Sequence, residues 1–204
     1  MGSRNLMVLG LAMIVLGCPT RVSAALVLSF DRSSYGIGQV GETVPVQVFL
    51  SQTPDGPQVG VGNELLTAGV LVSFSNPAGI AEVTAPANIV GGPAFDSFSA
   101  GVDPAMHTAS LAELSLLGIG DLSSPLLLGT FTFTGLNYGT TTISVADLDV
   151  SADFITAMGD VLDPTNTPTA QVVVIPEACS FIVWSLLAAI GITSGWWLGR
   201  RKGT

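Results

Sequence analysis

Acidic side chains recur at alternate positions near residue 150. Asp147, Asp149 and Ser151 have the spacing of the first three oxygen ligands of a calcium-binding loop, and Asp153 follows them. Such a loop needs a glycine at its sixth position and a bidentate carboxylate at its twelfth, where this chain has alanine and methionine. The pattern therefore favours a strand whose outward face carries these acids. Weakly bound calcium at Asp147, Asp149 and Asp153 is the alternative.

Catalytic chemistry has little support in the sequence. His107 is the only histidine, and a general base needs both a nucleophile and an orienting acid close to it. Asp103 and Ser110 are near it in sequence only, so we interpret His107 as a solvated loop residue. Residues 25–175 contain no cysteine, which leaves no thiol chemistry and no disulfide, and a lone histidine does not make a zinc site. The sequence predicts a protein that is not an enzyme.

The charge of the central region is strongly one-sided. Between residues 25 and 175 there are fourteen acidic residues and one basic residue, Arg32, which gives a formal charge of −13. Such a surface repels phosphate groups, so nucleic-acid binding is excluded. The negative charge is compatible with a general electrostatic attraction of divalent cations, spread over the surface rather than concentrated in a defined site.

Short apolar runs, several of them alternating, supply the secondary structure. In the segment from Val44 to Leu50, Val46 and Val48 share a face with both end residues, as expected of a strand. Runs of this kind, ended by glycine, proline or asparagine, predict strands at 26–30, 44–50, 69–74, 80–84, 110–117, 126–134, 140–146 and 170–175.

Eight short strands at close spacing indicate an all-β fold, an antiparallel two-sheet β-sandwich of the cohesin-like or jelly-roll type. We place this sandwich at residues 25–165. Loops are predicted at 53–63, 100–107 and 160–169, where glycine, proline or threonine accumulate.

Three segments resemble those of cohesin-like carbohydrate-binding sandwiches. They are Gly41–Val48, Gly69–Pro77 and Leu127–Phe133. The resemblance implies the two-sheet fold. Since Ser73–Asn76 lacks the Tyr-Asp pair that is common at that place in cohesins, the resemblance does not extend to dockerin binding.

The C-terminal end has the composition of a membrane anchor. Residues 179–198 contain no charged side chain, and a helix of that length spans the hydrocarbon core of a bilayer. Arg200, Arg201 and Lys202 follow as a basic stop that stays on the cytoplasmic side. We therefore predict a last strand and linker at 166–178, a transmembrane helix at 179–198 and a cytoplasmic end at 199–204.

This tail resembles the PEP-CTERM sorting signal of exported bacterial proteins. Pro176 and Glu177 match the first two positions of that motif, and Ala178 stands where proline is usual. The resemblance implies processing by an exosortase near the motif. A plain single-pass anchor is the alternative.

The N-terminal end predicts export. Arg4 precedes an apolar run, and Val22-Ser23-Ala24 suits a signal peptidase, so residues 1–24 form a signal peptide that is cleaved after Ala24. Lipidation at Cys18 is the alternative.

Together these features predict an exported, non-enzymatic β-sandwich protein with a PEP-CTERM-like sorting signal. It is inserted in the inner membrane as a precursor and used at the cell surface or in extracellular matrix. The alternative is a carbohydrate- or protein-binding module anchored to the membrane, with a polysaccharide among its candidate partners.

Overall fold

The computed structural model of the chain describes residues 26–53, 59–75, 79–149, 152–176, 185–187 and 190. Among these residues, no helix has the length and apolar character needed to cross a bilayer. Several predicted features lie outside the described residues: the signal peptide with Cys18 and Ala24, the sorting residues Glu177 and Ala178, most of the predicted membrane helix, and the basic stop.

The first sheet has five strands in the order β1-β3-β9-β5, and β6 also pairs with β9. Its pairings are antiparallel. A 3₁₀ turn at Pro86–Asn88 precedes β6. The strands are β1 (Leu26–Phe30), β3 (Thr43–Gln52), β5 (Ala81–Glu82), β6 (Ile89–Gly91) and β9 (Leu126–Gly135).

The second sheet has six strands in the order β2-β11-β10-β4-β8-β7. All its pairings are antiparallel except β2 with β11, which is parallel. The strands are β2 (Ser34–Ile37), β4 (Leu65–Phe74), β7 (Ser97–Asp103), β8 (Thr108–Ile119), β10 (Gly139–Asp147) and β11 (Thr169–Val174).

The core lies between the two sheets. Phe133 of β9 meets Phe74 of β4 edge to face, with ring centroids 5.6 Å apart, and both are buried. Gly129 of β9 lies so close to the opposite sheet that a Cβ there would overlap the side chain of Leu111. Alternating apolar residues from the two sheets therefore bury one another, as the sandwich prediction requires.

The strand predictions are confirmed at all eight positions, although the 80–84 prediction shrinks to the two residues of β5. The loop predicted at 100–107 is wrong in its first half, because residues 97–103 form β7. The strand predicted to carry the acids beyond Asp147 is also wrong, since β10 ends at Asp147. Strands β2 and β6 were not predicted because each has only three or four residues.

The outer edge of β1 is covered by the loop before β11. Leu26 forms a parallel bridge with Pro164, and Thr165 donates its N–H to the Leu26 carbonyl. The side chain of Asn166 accepts the N–H of Leu28 at 2.8 Å and donates to its carbonyl at 2.7 Å. The amide thus replaces a strand partner for Leu28.

We expect Asn166→Ala to lower the free energy of unfolding by about 2 kcal/mol, because both backbone groups of the buried Leu28 lose their partner. Asn166→Asp keeps the acceptor for the N–H and should lose less. Urea unfolding followed by circular dichroism measures both. Equal losses for the two variants would contradict the paired role of the amide.

Candidate functional site

The predicted calcium residues lie at the end of β10. Both carboxylate oxygens of Asp147 are buried beside the carboxyl group of Asp153. The carboxylate of Asp153 lies against Gly69, where a Cβ would come within 2.5 Å of its Cγ, and it accepts the N–H of Asp149. Burial, and next the adjacent Asp153, raise the pKa of Asp147 to about 6.

The structure thus brings Asp147 and Asp153 together, with the backbone of Asp149 beside them. Within the described ranges no three His, Cys, Asp or Glu side chains form a group that could hold a metal ion. Calcium binding stays a prediction from the spacing.

His107 is half-buried rather than solvated. Its ring packs on Phe74 with the centroids 5.9 Å apart, and its buried Nδ1 atom has no hydrogen-bond partner among the residues that the structure describes. The carboxylate of Asp103 instead accepts the N–H groups of Ala105 and Met106, and so closes the turn between β7 and β8. Asp103 therefore serves the turn and does not orient His107.

The most distinctive surface is the end of the six-stranded sheet, which we call the β7–β8 edge (residues 96–119). Phe98, Leu114, Leu116 and Leu117 are exposed there, and Leu117 is 91 % exposed. Leu114 and Leu116 share the outer face of β8 by alternation. Phe98 pairs with Glu113 and therefore lies on the other face of the sheet, so the exposed patch on the outer face consists of the leucines. Exposed apolar side chains that lie together are typical of interaction surfaces.

A bulge in β8 projects these leucines from the sheet. The residue opposite Thr67 of β4 is Leu114, whereas the residue opposite Leu65 is Ile119, so β8 carries extra residues between them. Asp96 fixes the start of the bulge, because its N–H donates to the Leu114 carbonyl and its carboxylate accepts the N–H of Leu116 at 2.7 Å. Leu116 and Leu117, which we call the leucine pair, are thus held on an ordered backbone.

A buried acid lies behind this surface. Glu113 of β8 is only 5 % exposed, and its Oε1 accepts the N–H of Gly92 at 2.6 Å. Burial raises the pKa of Glu113 to about 8, and the bond from Gly92 opposes this shift. The carboxyl is therefore mostly protonated at neutral pH.

The two glycines after Val90 make room for this acid. A Cβ on Gly91 would lie 2.7 Å from the ring of Phe98 and 2.8 Å from Oε1 of Glu113. A Cβ on Gly92 would overlap the carbonyl oxygen of Leu127. The backbone of β6 can thus approach Glu113 only because both residues lack a side chain.

A groove of about 260 Å³ opens between β7 and β8 at this point. It is lined by Ser97, Phe98, Ser99, Ala112, Glu113 and Leu114.

Sequence reasoning did not single out Glu113, although the signal for it was present. The alternation in residues 110–117 places Glu113 on the same face as Leu111, which is buried. An acidic residue that lies on the same face of a strand as a core leucine is a candidate for a buried carboxyl group.

Comparison with known proteins defines the class of fold. No family model and no curated protein matches this sequence. Among solved structures, the cohesin module of a family 33 glycoside hydrolase from Clostridium perfringens matches with a TM-score of 0.51 at 11% identity, over 76% of this chain and 100% of that one. The sixth cohesin of scaffoldin B from Acetivibrio cellulolyticus, solved in complex with a dockerin, matches with a TM-score of 0.50 at 16% identity, over 74% of this chain and 99% of that one.

These likenesses show that the described part of the chain is a β-sandwich with the cohesin fold. They confirm the fold that the three sequence segments implied. At such low sequence identity, these structural similarities are evidence for the fold and for nothing else.

Proposed function

We propose that this chain is an exported, non-enzymatic β-sandwich protein that binds a partner protein through its β7–β8 edge. The observation that carries the proposal is the exposed leucine pair, Leu116 and Leu117, held on an ordered bulge of β8. A cohesin of the same fold was solved with a dockerin bound to it, which supports a binding role for this sandwich.

The leucine pair provides the test of binding. We expect chemical crosslinking on cells to join the wild-type protein to a partner protein at the cell surface. The double variant Leu116→Ser, Leu117→Ser should lose this crosslinked product, because it lacks the apolar contact area. Tyr138→Ser is the matched control, since Tyr138 is an exposed aromatic residue on the turn between β9 and β10. Unchanged capture by the leucine variant would overturn the proposal, and binding of polysaccharide with no captured protein would support the carbohydrate-binding alternative.

Export and sorting are part of the same proposal. The apolar run at 179–198, the basic residues 200–202 and the Pro176-Glu177 pair support a membrane-held precursor that an exosortase-type enzyme processes. After processing, the sandwich works at the cell surface or in extracellular matrix.

Mass spectrometry of the mature protein tests this part. We expect a C-terminus near Pro176 in cells that have the enzyme, and the complete tail in cells that lack it. A complete tail in both kinds of cell would reduce the C-terminal segment to an ordinary anchor.

A further inference from the structure

Three segments meet at the end of the sandwich where β4 begins and β8 ends. Leu65 of β4 pairs with Ile119 of β8 on one side and forms a bridge with Thr156 on the other. A tight turn at residues 60–63, closed by backbone hydrogen bonds between its end residues, comes just before β4. We call this region, which consists of residues 60–65, 116–119 and 155–158, the β4–β8 end.

Glu64 contacts each of the three segments. Its Cβ lies against Gly118, since a Cβ on that glycine would be only 2.4 Å from it. Its Oε1 accepts the N–H of Gly62 at 2.8 Å, and its carbonyl oxygen accepts the N–H of Ala157, also at 2.8 Å. The hydrogen bond from Gly62 holds the pKa of the Glu64 carboxyl below its ordinary value, so this group is charged at neutral pH.

A large exposed apolar residue stands beside each of these contacts in the chain. These residues are Val61, Leu117 and Met158, which are 100 %, 91 % and 71 % exposed. Leu116, the other member of the leucine pair, adds to them. The β4–β8 end therefore combines apolar surface from three segments with the charge of Glu64 at the point where they meet.

This end lies opposite the place where the chain leaves the sandwich. The last residue of β11, Val174, pairs with Gly139 at the start of β10. Since β10 is antiparallel to β4, its start lies toward Phe74 at the end of β4 and away from Leu65. A bilayer that held the C-terminal segment, as we propose above, would therefore lie at the other end of the sandwich.

A molecule that covered the apolar residues would also cover the carboxylate among them. A charge that loses its water is costly unless an opposite charge or a hydrogen-bond donor replaces that water. In the part of the chain that the structure describes, Arg32 is the only Arg or Lys, and it pairs with Asp31 at 3.1 Å. The replacement therefore has to come from the covering molecule.

We propose that the leucine pair is part of a larger docking surface formed by the β4–β8 end, and that its partner is a protein whose apolar contact face places a lysine or arginine over Glu64. This inference rests on the proposed function and names the chemistry of the partner. A second copy of this chain does not fit, because two sandwiches of formal charge −13 repel each other.

The test uses the full-length protein on the cells that make it. The photoreactive amino acid benzoylphenylalanine replaces one exposed residue at a time, at Val61, Leu117 or Met158. Met106 is the matched control site, because it is also 71 % exposed but lies in the turn between β7 and β8, at the other end of β8. Mass spectrometry identifies what each site is joined to after illumination.

We expect the sites at 61, 117 and 158 to be joined to one and the same protein, and the site at 106 to give little of this product. Products at Leu117 but not at Val61 or Met158 would overturn the larger surface. Products with lipid, or with a second copy of the chain, would overturn the choice of partner.

The charge of Glu64 is tested with the photoreactive residue at Leu117. Glu64→Lys should lower the yield of the product at least about tenfold, because like charges then face each other. Glu42→Lys is the matched control and should leave the yield unchanged. Glu42 also accepts a nearby backbone N–H, but it is hydrogen-bonded to Gly135, which packs near Val174 at the opposite end of the sandwich.

A charge exchange completes this test. The crosslinked peptide identifies the lysine or arginine of the partner, and its replacement by glutamate should restore the yield with the Glu64→Lys protein. Undiminished yield with Glu64→Lys alone, or no recovery on the exchange, would overturn the pairing with Glu64.

These outcomes can be told apart from those of the proposed function. If Leu117 is joined to a partner protein while Val61, Met158 and Glu64 have no effect, protein binding stands and the larger charged surface is rejected. If no site, Leu117 included, is joined to another protein, both proposals fall.

Discussion

The free energy of unfolding should fall by about 3 kcal/mol as the pH is raised from about 5 to about 9. In the unfolded chain Glu113 loses its proton near its ordinary pKa of 4.5, whereas in the folded protein burial raises its pKa to about 8. Between these values the folded state holds a proton that the unfolded state has released. Stability is therefore complete below the unfolded pKa and is lost as the pH rises through the folded pKa. At about 1.4 kcal/mol per pKa unit the loss could approach 5 kcal/mol, and relaxation around the carboxylate lowers it to about 3 kcal/mol.

Glu113→Gln separates this residue from the others. The amide oxygen can still accept the N–H of Gly92, but the side chain no longer ionises, so the variant should be more stable than the wild type above about pH 8 and similar below about pH 5. Urea unfolding at several pH values, followed by circular dichroism, gives both curves. Two results would contradict the assignment of this pH dependence to Glu113. One is a wild-type free energy of unfolding that stays constant above pH 6, and the other is a Glu113→Gln variant whose free energy of unfolding falls as steeply as that of the wild type.

Asp147→Asn provides the matched control. Its pKa is also raised, to about 6, so it contributes in the same direction but only between its ordinary pKa of 3.8 and about pH 6. In the Asp147→Asn variant, the free energy of unfolding should therefore depend less on pH below about pH 6, while its fall between about pH 6 and pH 9 remains.

The fold could be predicted from the sequence because the sandwich depends on patterns that local residues reveal. The alternation of Val44, Val46 and Val48 is enough to predict a strand with one buried face, and all three lie in β3. Strand β7 shows where this reasoning fails. Its residues Ser97-Phe98-Ser99-Ala100-Gly101 are small and mostly polar, so their alternation is weak, and only pairing with β8 makes them a strand.

The candidate site was harder to predict because it depends on contacts between distant segments. Glu113 is buried by β6 and β7, and its hydrogen bond comes from Gly92, twenty-one residues earlier in the chain. No spacing rule connects these residues. The acids at 147, 149 and 153 attracted attention because they are close in sequence, yet only Asp147 belongs to a strand.

The β7–β8 edge combines features that each lower stability. A buried carboxyl, an exposed leucine pair and an unprotected edge strand are costs that a purely structural sandwich would avoid. They occur together in one region, whereas the β1 edge of the five-stranded sheet is covered and hydrogen-bonded through Asn166. Local departures from good packing that gather in one place are expected where a protein binds something else.

Gly92→Ala should be the most damaging single methyl addition in this region, with a loss of about 3 kcal/mol in the free energy of unfolding. The new Cβ would overlap the carbonyl oxygen of Leu127, and a backbone atom of β9 cannot rotate away as a side chain can. Relief of the overlap would move Gly92 away from Glu113, and so break the 2.6 Å hydrogen bond to its carboxyl.

Gly36→Ala is the control, because a Cβ on Gly36 of β2 meets no atom within 4 Å. That variant should be neutral or slightly stabilised, since alanine restricts the unfolded chain. Thermal and urea unfolding compare the two variants, and amide hydrogen exchange shows where the structure loosens. We expect faster exchange in β6 and β7 for the Gly92 variant, while β1 and β3 stay protected. Equal stability of the two alanine variants would mean that β6 can shift freely, and Glu113 would then lack the fixed surroundings on which its raised pKa depends.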